Sequence, residues 1–173
     1  MQEKKESKLS KILSKIHSNP KSIRLKYGSS KTVFTNGCFD ILHVGHITYL
    51  AKAADMGERL IVGVNDDDSV KRLGKGKNRP VNDQNSRALL IASLDFVSAV
   101  IIFKESTPLN LIKELKPNVL VKGGDYSAAE TNPENKKYIV GSDLVTQNGG
   151  EVKTINLVDG FSTTSIIQRM NKD

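Results

Sequence analysis

The chain has 173 residues, a formal net charge of +7 and a mean hydropathy of −0.34. This length suits a single domain with its own hydrophobic core, and no apolar run reaches the roughly 18 to 20 residues that span a bilayer. The N-terminus is too polar for the apolar centre of a secretory signal, and the single cysteine, Cys38, excludes an internal disulfide. The composition therefore predicts a cytoplasmic protein without a membrane segment.

The positive charge is confined to the N-terminal segment. Residues 1–31 hold nine of the 26 Lys and Arg and two of the 19 Asp and Glu, which leaves 17 basic and 17 acidic residues in the remainder. A nucleic-acid-binding domain is expected to spread basic charge over a face of its fold, so a nucleic-acid partner is not expected. One basic cluster in the neutral part favours a small anionic ligand instead: Lys71, Arg72, Lys75, Lys77 and Arg79.

The N-terminal segment contains one predicted helix. In residues 8–17 apolar side chains recur at the spacing of a helix face, and Asn19-Pro20 ends the pattern. We expect a short amphipathic helix that docks on the body or on a partner subunit. The chain is accordingly divided into a basic helical extension, residues 1–30, and a main domain, residues 31–173.

From residue 31 onward, predicted strands alternate with predicted helices. The strands are expected at 32–35, 60–65, 97–103, 119–122 and 152–157, and the helices at 46–56, 84–94, 108–115, 136–147 and 164–170. This alternation predicts an α/β fold, a Rossmann-like open parallel five-stranded sheet with helices on both faces. Ligands of such sheets bind beyond the C-terminal ends of the strands, near the point where strand order reverses. The residues that follow each strand are therefore the candidates for function.

The segment after the strand at 32–35 carries two histidines three residues apart. Its candidate site residues are Asn36, Gly37, Cys38, Phe39, Asp40, His43, Gly45 and His46. Positions i and i+3 share a helix face, Gly45 leaves room for a ligand near the backbone, and helix N-termini attract phosphate. Two imidazole donors there suit a phosphate that gains charge in a transition state. The alternative is one capping and one core histidine, and a zinc site would need further ligands that the sequence does not offer.

A second candidate segment opens the last predicted helix. It combines a turn with four consecutive hydroxyl side chains: Asp159, Gly160, Phe161, Ser162, Thr163, Thr164 and Ser165. Helix capping needs only one hydroxyl. The others, together with the N–H groups of the helix, predict contacts to the β- and γ-phosphates of a nucleotide.

Two further loops are predicted at the same edge of the sheet. One is the basic run from Lys71 to Pro80, for which a solvated charge run is the alternative interpretation. The other follows the strand at 119–122, where glycines allow the backbone to face a nucleobase or a sugar and Asp125 can accept hydrogen bonds from hydroxyls. Its candidate site residues are Lys122, Gly123, Gly124 and Asp125.

These motifs carry a family resemblance. NGCFDILHVGH resembles the HxGH signature of the cytidylyltransferase-like nucleotidylyltransferases, and DGFSTT resembles their second signature. Between about residues 31 and 170, VKGGDY, RPVN and NGGEV are most similar to the heptose 1-phosphate adenylyltransferases of the ADP-heptose pathway, either free-standing or as the C-terminal half of a bifunctional kinase. Neither a Walker A loop nor G-x-G-x-x-G follows the strand at 32–35, which argues against P-loop and dinucleotide-binding proteins.

The resemblance implies that AMP passes from ATP to a sugar 1-phosphate with release of pyrophosphate. It implies catalytic roles for His43, His46, Lys75 and Arg79, phosphate contacts from Arg87, nucleotide contacts from the other motif residues, Mg²⁺ held mainly by the nucleotide phosphates, and a homodimer. The acceptor phosphate is itself a nucleophile, so alignment and charge neutralisation suffice without a general base. The nearest alternative chemistry joins CTP to glycerol 3-phosphate. A regulatory nucleotide-binding module and a nucleic-acid binder using the basic arm are the alternatives from other classes.

Overall fold

One parallel β-sheet runs through the middle of the molecule. The computed structural model describes residues 6–74, 76, 78–158 and 160–170. Within these ranges the strands lie in the order β1-β4-β3-β2-β5-β6 and are all parallel. Their bounds are β1 Ile16–His17, β2 Thr32–Gly37, β3 Arg59–Asn65, β4 Val97–Phe103, β5 Val119–Gly123 and β6 Glu151–Ile155. The predicted Rossmann-like open parallel sheet is confirmed, with six strands where the sequence analysis expected five.

Helices cover both faces of this sheet. In the described part of the chain they are α1 Lys8–Leu13, α2 Pro20–Tyr27, α3 Val44–Ala54, α4 Asp67–Arg72, α5 Gln84–Ala92, α6 Leu109–Leu115, α7 Ser142–Gln147 and α8 Thr163–Met170. The core on one face is formed with α3 and α5, and α1 packs at its margin. The core on the other face is formed with α2, α6 and α7.

The strands are apolar on both sides because both sides are covered. Val33 of β2 belongs to the core with α3 and α5, whereas the next residue, Phe34, belongs to the core with α2 and α6. Leu120 and Val121 divide in the same way on β5. Successive side chains of a strand point to opposite faces, so a central strand of a doubly covered sheet reads as a continuous apolar run.

The sixth strand comes from a segment that the sequence analysis placed in a helix. Helix α1 ends at Leu13, and Ile16 and His17 then pair with Val100 and Ile101 of β4. The amide of Val100 also donates to the carbonyl of Lys15, with an N–O distance of 2.8 Å. The predicted helix over 8–17 is thus wrong in its second half, because pairing satisfies backbone groups on the open edge of β4 that a helix leaves without partners.

Helix α2 anchors the N-terminal segment to the sheet. Its Ile23 is fully buried in the core shared with Phe34 and Ile112. Residues 16–27 therefore belong to the same sheet and core as the rest of the described chain. The division into residues 1–30 and 31–173 remains a prediction about sequence segments.

One predicted helix is much shorter in the structure. Residues 136–141 form turns, and α7 covers only Ser142–Gln147. Gly141 has a φ of 87°, a left-handed conformation that interrupts a right-handed helix. A Cβ at this position would lie 2.7 Å from Ile112, so the turn also brings the chain close to α6.

Strand order reverses between β2 and β5. From β2 the chain moves outward to β3 and β4, then crosses to β5 and β6 on the other side. The carboxyl ends of β2 and β5 therefore flank the crevice in which ligands of such folds bind. No helix in the described ranges is long and apolar enough to cross a membrane.

Candidate active site

An open cleft of about 750 Å³ lies at the predicted edge of the sheet. Fifteen of the predicted site residues line it: Asn36, Gly37, Cys38, Phe39, Asp40, His43, Gly45, His46, Arg79, Lys122, Gly123, Phe161, Ser162, Thr163 and Thr164. Four others do not: Arg87, Gly124, Asp125 and Gly160. The remaining predicted residue, Lys75, lies outside the described residues, as do Lys77 and Asp159.

The two histidines stand together at the start of α3. His43 is the N-cap residue, yet its side chain makes no capping hydrogen bond, and the rings of His43 and His46 stack with centroids 3.8 Å apart. Phe39 meets His46 edge-on at 5.4 Å. Burial lowers the pKa of His43, which favours the neutral ring near pH 7. The alternative of a capping and a core histidine does not describe this pair, because both rings face the cleft.

Gly45 has a packing role that the sequence did not predict. A Cβ there would lie 3.0 Å from Nδ1 of His43 and 3.3 Å from Cβ of Phe161. Contacts this short force a neighbour to move. The glycine therefore makes room for the His43 ring, and the expected approach of a ligand to its backbone stays a prediction.

Asp40 fastens the loop after β2 to the segment before α5. Its buried carboxylate pairs with Nε of Arg79, and its Oδ1 accepts from the amides of Val81 at 2.7 Å and Asn82 at 3.0 Å. Asn82 donates in return to the Asp40 carbonyl. Through these contacts Asp40 fixes Arg79, which borders the cleft, relative to the loop after β2. This loop, residues 38–43, ends with His43 and is called the histidine loop.

Arg87 lies outside the cleft lining, so its predicted phosphate contact has no support in this geometry and stays a prediction. Its guanidinium is fully buried and donates to the carbonyls of Cys38 and Asn82 and to the carboxylate of Asp67. Position 85, two residues earlier on the same helix, holds Asn85 and offers no carboxylate. The carboxylate comes from Asp67 instead, twenty residues away in the chain.

The loop after β5 contributes Lys122 and Gly123 but not the two residues that follow. Nζ of Lys122 donates to Oδ1 of Asn36 and lies 5.6 Å from the Tyr126 ring. Gly123 faces Leu157, which a Cβ would approach to 3.1 Å. Asp125 is exposed and is not among the residues that line the cleft, so the expected hydrogen bonds to substrate hydroxyls stay a prediction.

The four hydroxyl side chains at the start of α8 have two different roles. Ser162 and Ser165 cap the helix reciprocally: Oγ of Ser162 accepts from the Ser165 amide at 3.0 Å, and Oγ of Ser165 from the Ser162 amide at 3.3 Å. The capping interpretation therefore holds for this pair. Thr163 and Thr164 line the cleft beside the first N–H groups of the helix.

The lining also contains residues that the sequence analysis did not select, notably Tyr49, Asn65, Ser106, Thr107, Tyr126, Val140, Leu157 and Val158. Asn65 ends β3 and residues 106–107 follow β4. Their position at the C-terminal ends of predicted strands was therefore a signal present in the sequence. Tyr49 gave no such signal. Its hydroxyl lies 2.6 Å from Oγ1 of Thr35 and donates to the Val121 carbonyl at 3.2 Å, and burial raises its pKa to about 12.

The fold and the site define a class: an open parallel α/β enzyme with paired histidines at the strand-order reversal. The cytidylyltransferase-like family model matches residues 34–169. The chain belongs to the cytidylyltransferase-like family and is a nucleotidylyltransferase.

Curated relatives are similar over most of this chain. It is 54% identical to the bifunctional protein HldE of Campylobacter concisus (strain 13826) over 143 residues, which are 83% of this chain and 28% of the relative. For the bifunctional protein HldE of Campylobacter fetus subsp. fetus (strain 82-40), identity is 52% over 95% of this chain and 33% of the relative. The chain thus spans about a third of the length of these relatives.

Two solved structures share the fold. The lipopolysaccharide core biosynthesis protein from Thermoplasma volcanium GSS1 is 29% identical, with a TM-score of 0.56 over 75% of this chain and 98% of that one. Pantoate-beta-alanine ligase from Francisella tularensis, complexed with beta-gamma ATP and beta-alanine, has a TM-score of 0.57 over 88% of this chain and 75% of that one. The second is only 16% identical and shows likeness of fold alone.

Proposed function

We propose that this chain transfers AMP from ATP to a heptose 1-phosphate, giving ADP-heptose and pyrophosphate. The observation that carries the proposal is the stacked pair His43 and His46 at the start of α3, inside a cleft bordered by a second helix N-terminus. Relatives with more than half of their aligned residues identical bear the name bifunctional protein HldE. The similar Thermoplasma volcanium protein is named for lipopolysaccharide core biosynthesis, which agrees with a sugar acceptor.

The two halves of the cleft differ in chemistry, which supports a nucleotide on one side and a phosphorylated polyol on the other. Beyond β5 and β6 the lining includes an apolar and aromatic group, Tyr126, Val140, Leu157, Val158 and Phe161, beside Lys122 and the hydroxyls that open α8. Beyond β3 and β4 it holds the polar side chains Asn65, Arg79, Ser106 and Thr107 beside Leu73 and Pro108. An apolar surface suits the faces of a nucleobase, whereas hydroxyl and amide groups suit the hydroxyls of a sugar. The histidine loop, which follows β2, lies between them.

The reaction needs alignment and charge stabilisation. An oxygen of the acceptor phosphate attacks the α-phosphorus of ATP, and the bond from that phosphorus to the bridging oxygen breaks, so pyrophosphate leaves with the electron pair. No proton has to be removed from the nucleophile. His43 and His46 hold the α-phosphate oxygens as negative charge develops, and Arg79 neutralises charge beside them. Thr163 and Thr164, with the N-terminus of α8, hold the pyrophosphate end. Lys75 stays a predicted participant.

Mg²⁺ is proposed to arrive with the triphosphate. Among the described residues there is no group of three or more His, Cys, Asp or Glu that could hold a metal ion. Asp40, the carboxylate in the cleft lining, is occupied by Arg79 and two amides. The residues present therefore fit an ion carried by phosphate oxygens and water. Bound in this way, it would withdraw charge from the leaving pyrophosphate.

Two further properties are proposals from the family resemblance. We propose a homodimer, which light scattering of the purified chain would test. We also propose the cytoplasm as the compartment, which fractionation of the source cells would test.

The function is tested by measuring pyrophosphate release with each combination of ATP or CTP and heptose 1-phosphate or glycerol 3-phosphate. ATP with heptose 1-phosphate is expected to give the highest kcat/KM. A higher value for CTP with glycerol 3-phosphate would overturn the substrates while leaving nucleotidylyl transfer in place. No release with any combination, from protein that binds ATP, would overturn the reaction itself and favour a regulatory module.

A further inference from the structure

We propose that Arg87 is a positioning residue that holds both ends of the segment from Asp67 to Asn82 against the loop after β2. This segment contains α4 and the basic cluster, including Arg79. The inferred effect on catalysis rests on the proposed function, whereas the effect on the segment does not. No contact of Arg87 with substrate is involved, because Arg87 lies outside the cleft lining.

Three hydrogen bonds define the arrangement. Nη2 of Arg87 donates to Oδ1 of Asp67 at 2.7 Å, where α4 begins. Nε donates to the Asn82 carbonyl at 3.0 Å, just before α5, and Nη1 donates to the Cys38 carbonyl at 2.7 Å, in the loop after β2. One rigid guanidinium thus joins three parts of the chain, the farthest of which lies 49 residues before Arg87.

Burial makes these contacts obligatory for the charged group. The Arg87 side chain is fully buried, whereas that of Asp67 keeps 30% exposure. Arginine stays protonated in proteins, and a buried charge that loses its partners destabilises the fold strongly. Two of the three acceptors are backbone carbonyls, so a shift of either loop would remove a partner from the guanidinium. The two loops keep their relative position because a shift would leave the buried guanidinium of Arg87 without a hydrogen-bond acceptor, which is unfavourable.

Asp40 connects Arg87 to the cleft. Asn82, which receives Nε of Arg87, also donates its amide to Asp40 at 3.0 Å. Asp40 in turn pairs with Arg79, and both line the cleft. Arg87 therefore acts on the reacting phosphates through Asn82, Asp40 and Arg79, and on the histidine loop through Cys38.

Lysine is the informative replacement. It keeps the charge, but one ammonium on a flexible stem cannot reproduce the planar fork that meets three acceptors. For Arg87→Lys we expect kcat to fall on the order of a hundredfold, the scale of a displacement of about 1 Å at a reacting group, with KM for ATP changing less than kcat. Asp67→Asn keeps an acceptor and removes the charge, so it should give a smaller loss of the same kind.

The test combines hydrogen–deuterium exchange without substrate and steady-state kinetics on the full chain. Arg87→Lys should speed exchange in peptides covering 38–42 and 67–82 and leave 97–103 unchanged. Arg24→Lys, an exposed change on α2, is the matched control and should alter neither measurement. Faster exchange throughout the molecule, or unchanged exchange at 67–82, would overturn the proposal whether or not the proposed reaction is observed.

Chemical rescue gives the second readout. Arg87→Ala leaves a buried space shaped for a guanidinium, and free guanidinium ion, well below denaturing concentrations, should restore part of the kcat and slow exchange at 67–82. Should Arg87→Ala not fold, the same comparison uses Asp67→Ala, which guanidinium should not rescue. If the wild type is active, a wild-type kcat in folded Arg87→Lys would contradict the role of Arg87 as a positioning residue. Rescue of Asp67→Ala by guanidinium would also contradict it.

Discussion

The imidazole rings of His43 and His46 stack with their planes 21° apart and their centroids 3.8 Å apart. Two positive charges at this separation repel each other, so protonation of one ring disfavours protonation of the other. Burial also lowers the pKa of His43. The pair thus places two imidazole donors side by side for an anionic phosphate.

Replacing His46 with alanine should affect the transition state more than binding. Loss of one preorganised donor costs on the order of a hundredfold in kcat, while the affinity for ATP should change little because other groups hold the triphosphate. Pyrophosphate release and calorimetric ATP binding measure the two effects. His17→Ala is the matched control, since His17 lies on β1 outside the cleft lining. An unaltered kcat in His46→Ala would remove this residue from the mechanism.

Stability should fall as the solution is acidified below about pH 6.5. The pKa of His43 is lowered in the folded state by burial, whereas in the unfolded chain it lies near 6.5. Between these two values the unfolded state binds more protons, so acid favours unfolding. Urea midpoints from pH 7.5 to 5.5 should decrease, and the decrease should be smaller in His43→Asn. His17, whose pKa is lowered by burial and by Lys26, adds a similar term that His17→Asn isolates. Equal slopes in wild type and both variants would contradict this linkage.

Gly45→Ala should disturb the stack with little loss of stability. The new methyl group would lie 3.0 Å from Nδ1 and 3.1 Å from Cε1 of His43, so the ring must shift from its place in the stack. Alanine is otherwise favoured over glycine in a helix by about 1 kcal/mol. We expect kcat to drop about tenfold or more while Tm stays level or rises, an order of magnitude set by displacement of a catalytic donor. Val44→Ala, at the exposed neighbouring position, should leave kcat unchanged. Full activity in Gly45→Ala would show that the ring stack is not required.

The strand–helix alternation and the position of the site could be predicted because each depends on local pattern. Apolar runs such as those of β2 and β4 are typical of strands buried on both faces, and the histidine loop follows β2 as expected for this fold. The edge strand β1 was not predictable in this way. Its Ile16 continues the apolar spacing of α1, and only pairing with Val100 and Ile101 makes residues 16–17 a strand.

Long-range partners account for the other differences. The role of Arg87 depends on Asp67, and that of Tyr49 depends on Thr35 and Val121. Nothing in the spacing of these residues reveals such contacts, because they form only when separate strands and loops meet. The exposure of Asp125 has the same origin, since the direction of the chain after Gly123 is set by its packing against β6 and Leu157.

Removing residues 1–20 should lower stability and leave the chemistry largely intact. The deletion removes β1, and with it the pairing to Val100, as well as Asn19, whose side chain caps α2. It also exposes part of the core around Ile12 and Ile16. None of residues 6–20 lines the cleft, so kcat at a temperature where the protein is folded should remain near the wild-type value. Loss of the cap alone is worth about 1 kcal/mol, so Tm should fall by several degrees.

A second truncation separates the contribution of the sheet from that of the basic tail. Deleting only residues 1–5 removes Lys4 and Lys5 and leaves α1, its N-cap residue Ser7 and β1 in place. This shorter deletion should leave both Tm and kcat unchanged. Thermal melts monitored by circular dichroism, together with pyrophosphate release at 25 °C, compare the two truncations with the full chain. A collapse of kcat in folded protein lacking residues 1–20 would mean that the N-terminal segment contributes to the reaction, because the loss of stability alone cannot produce it.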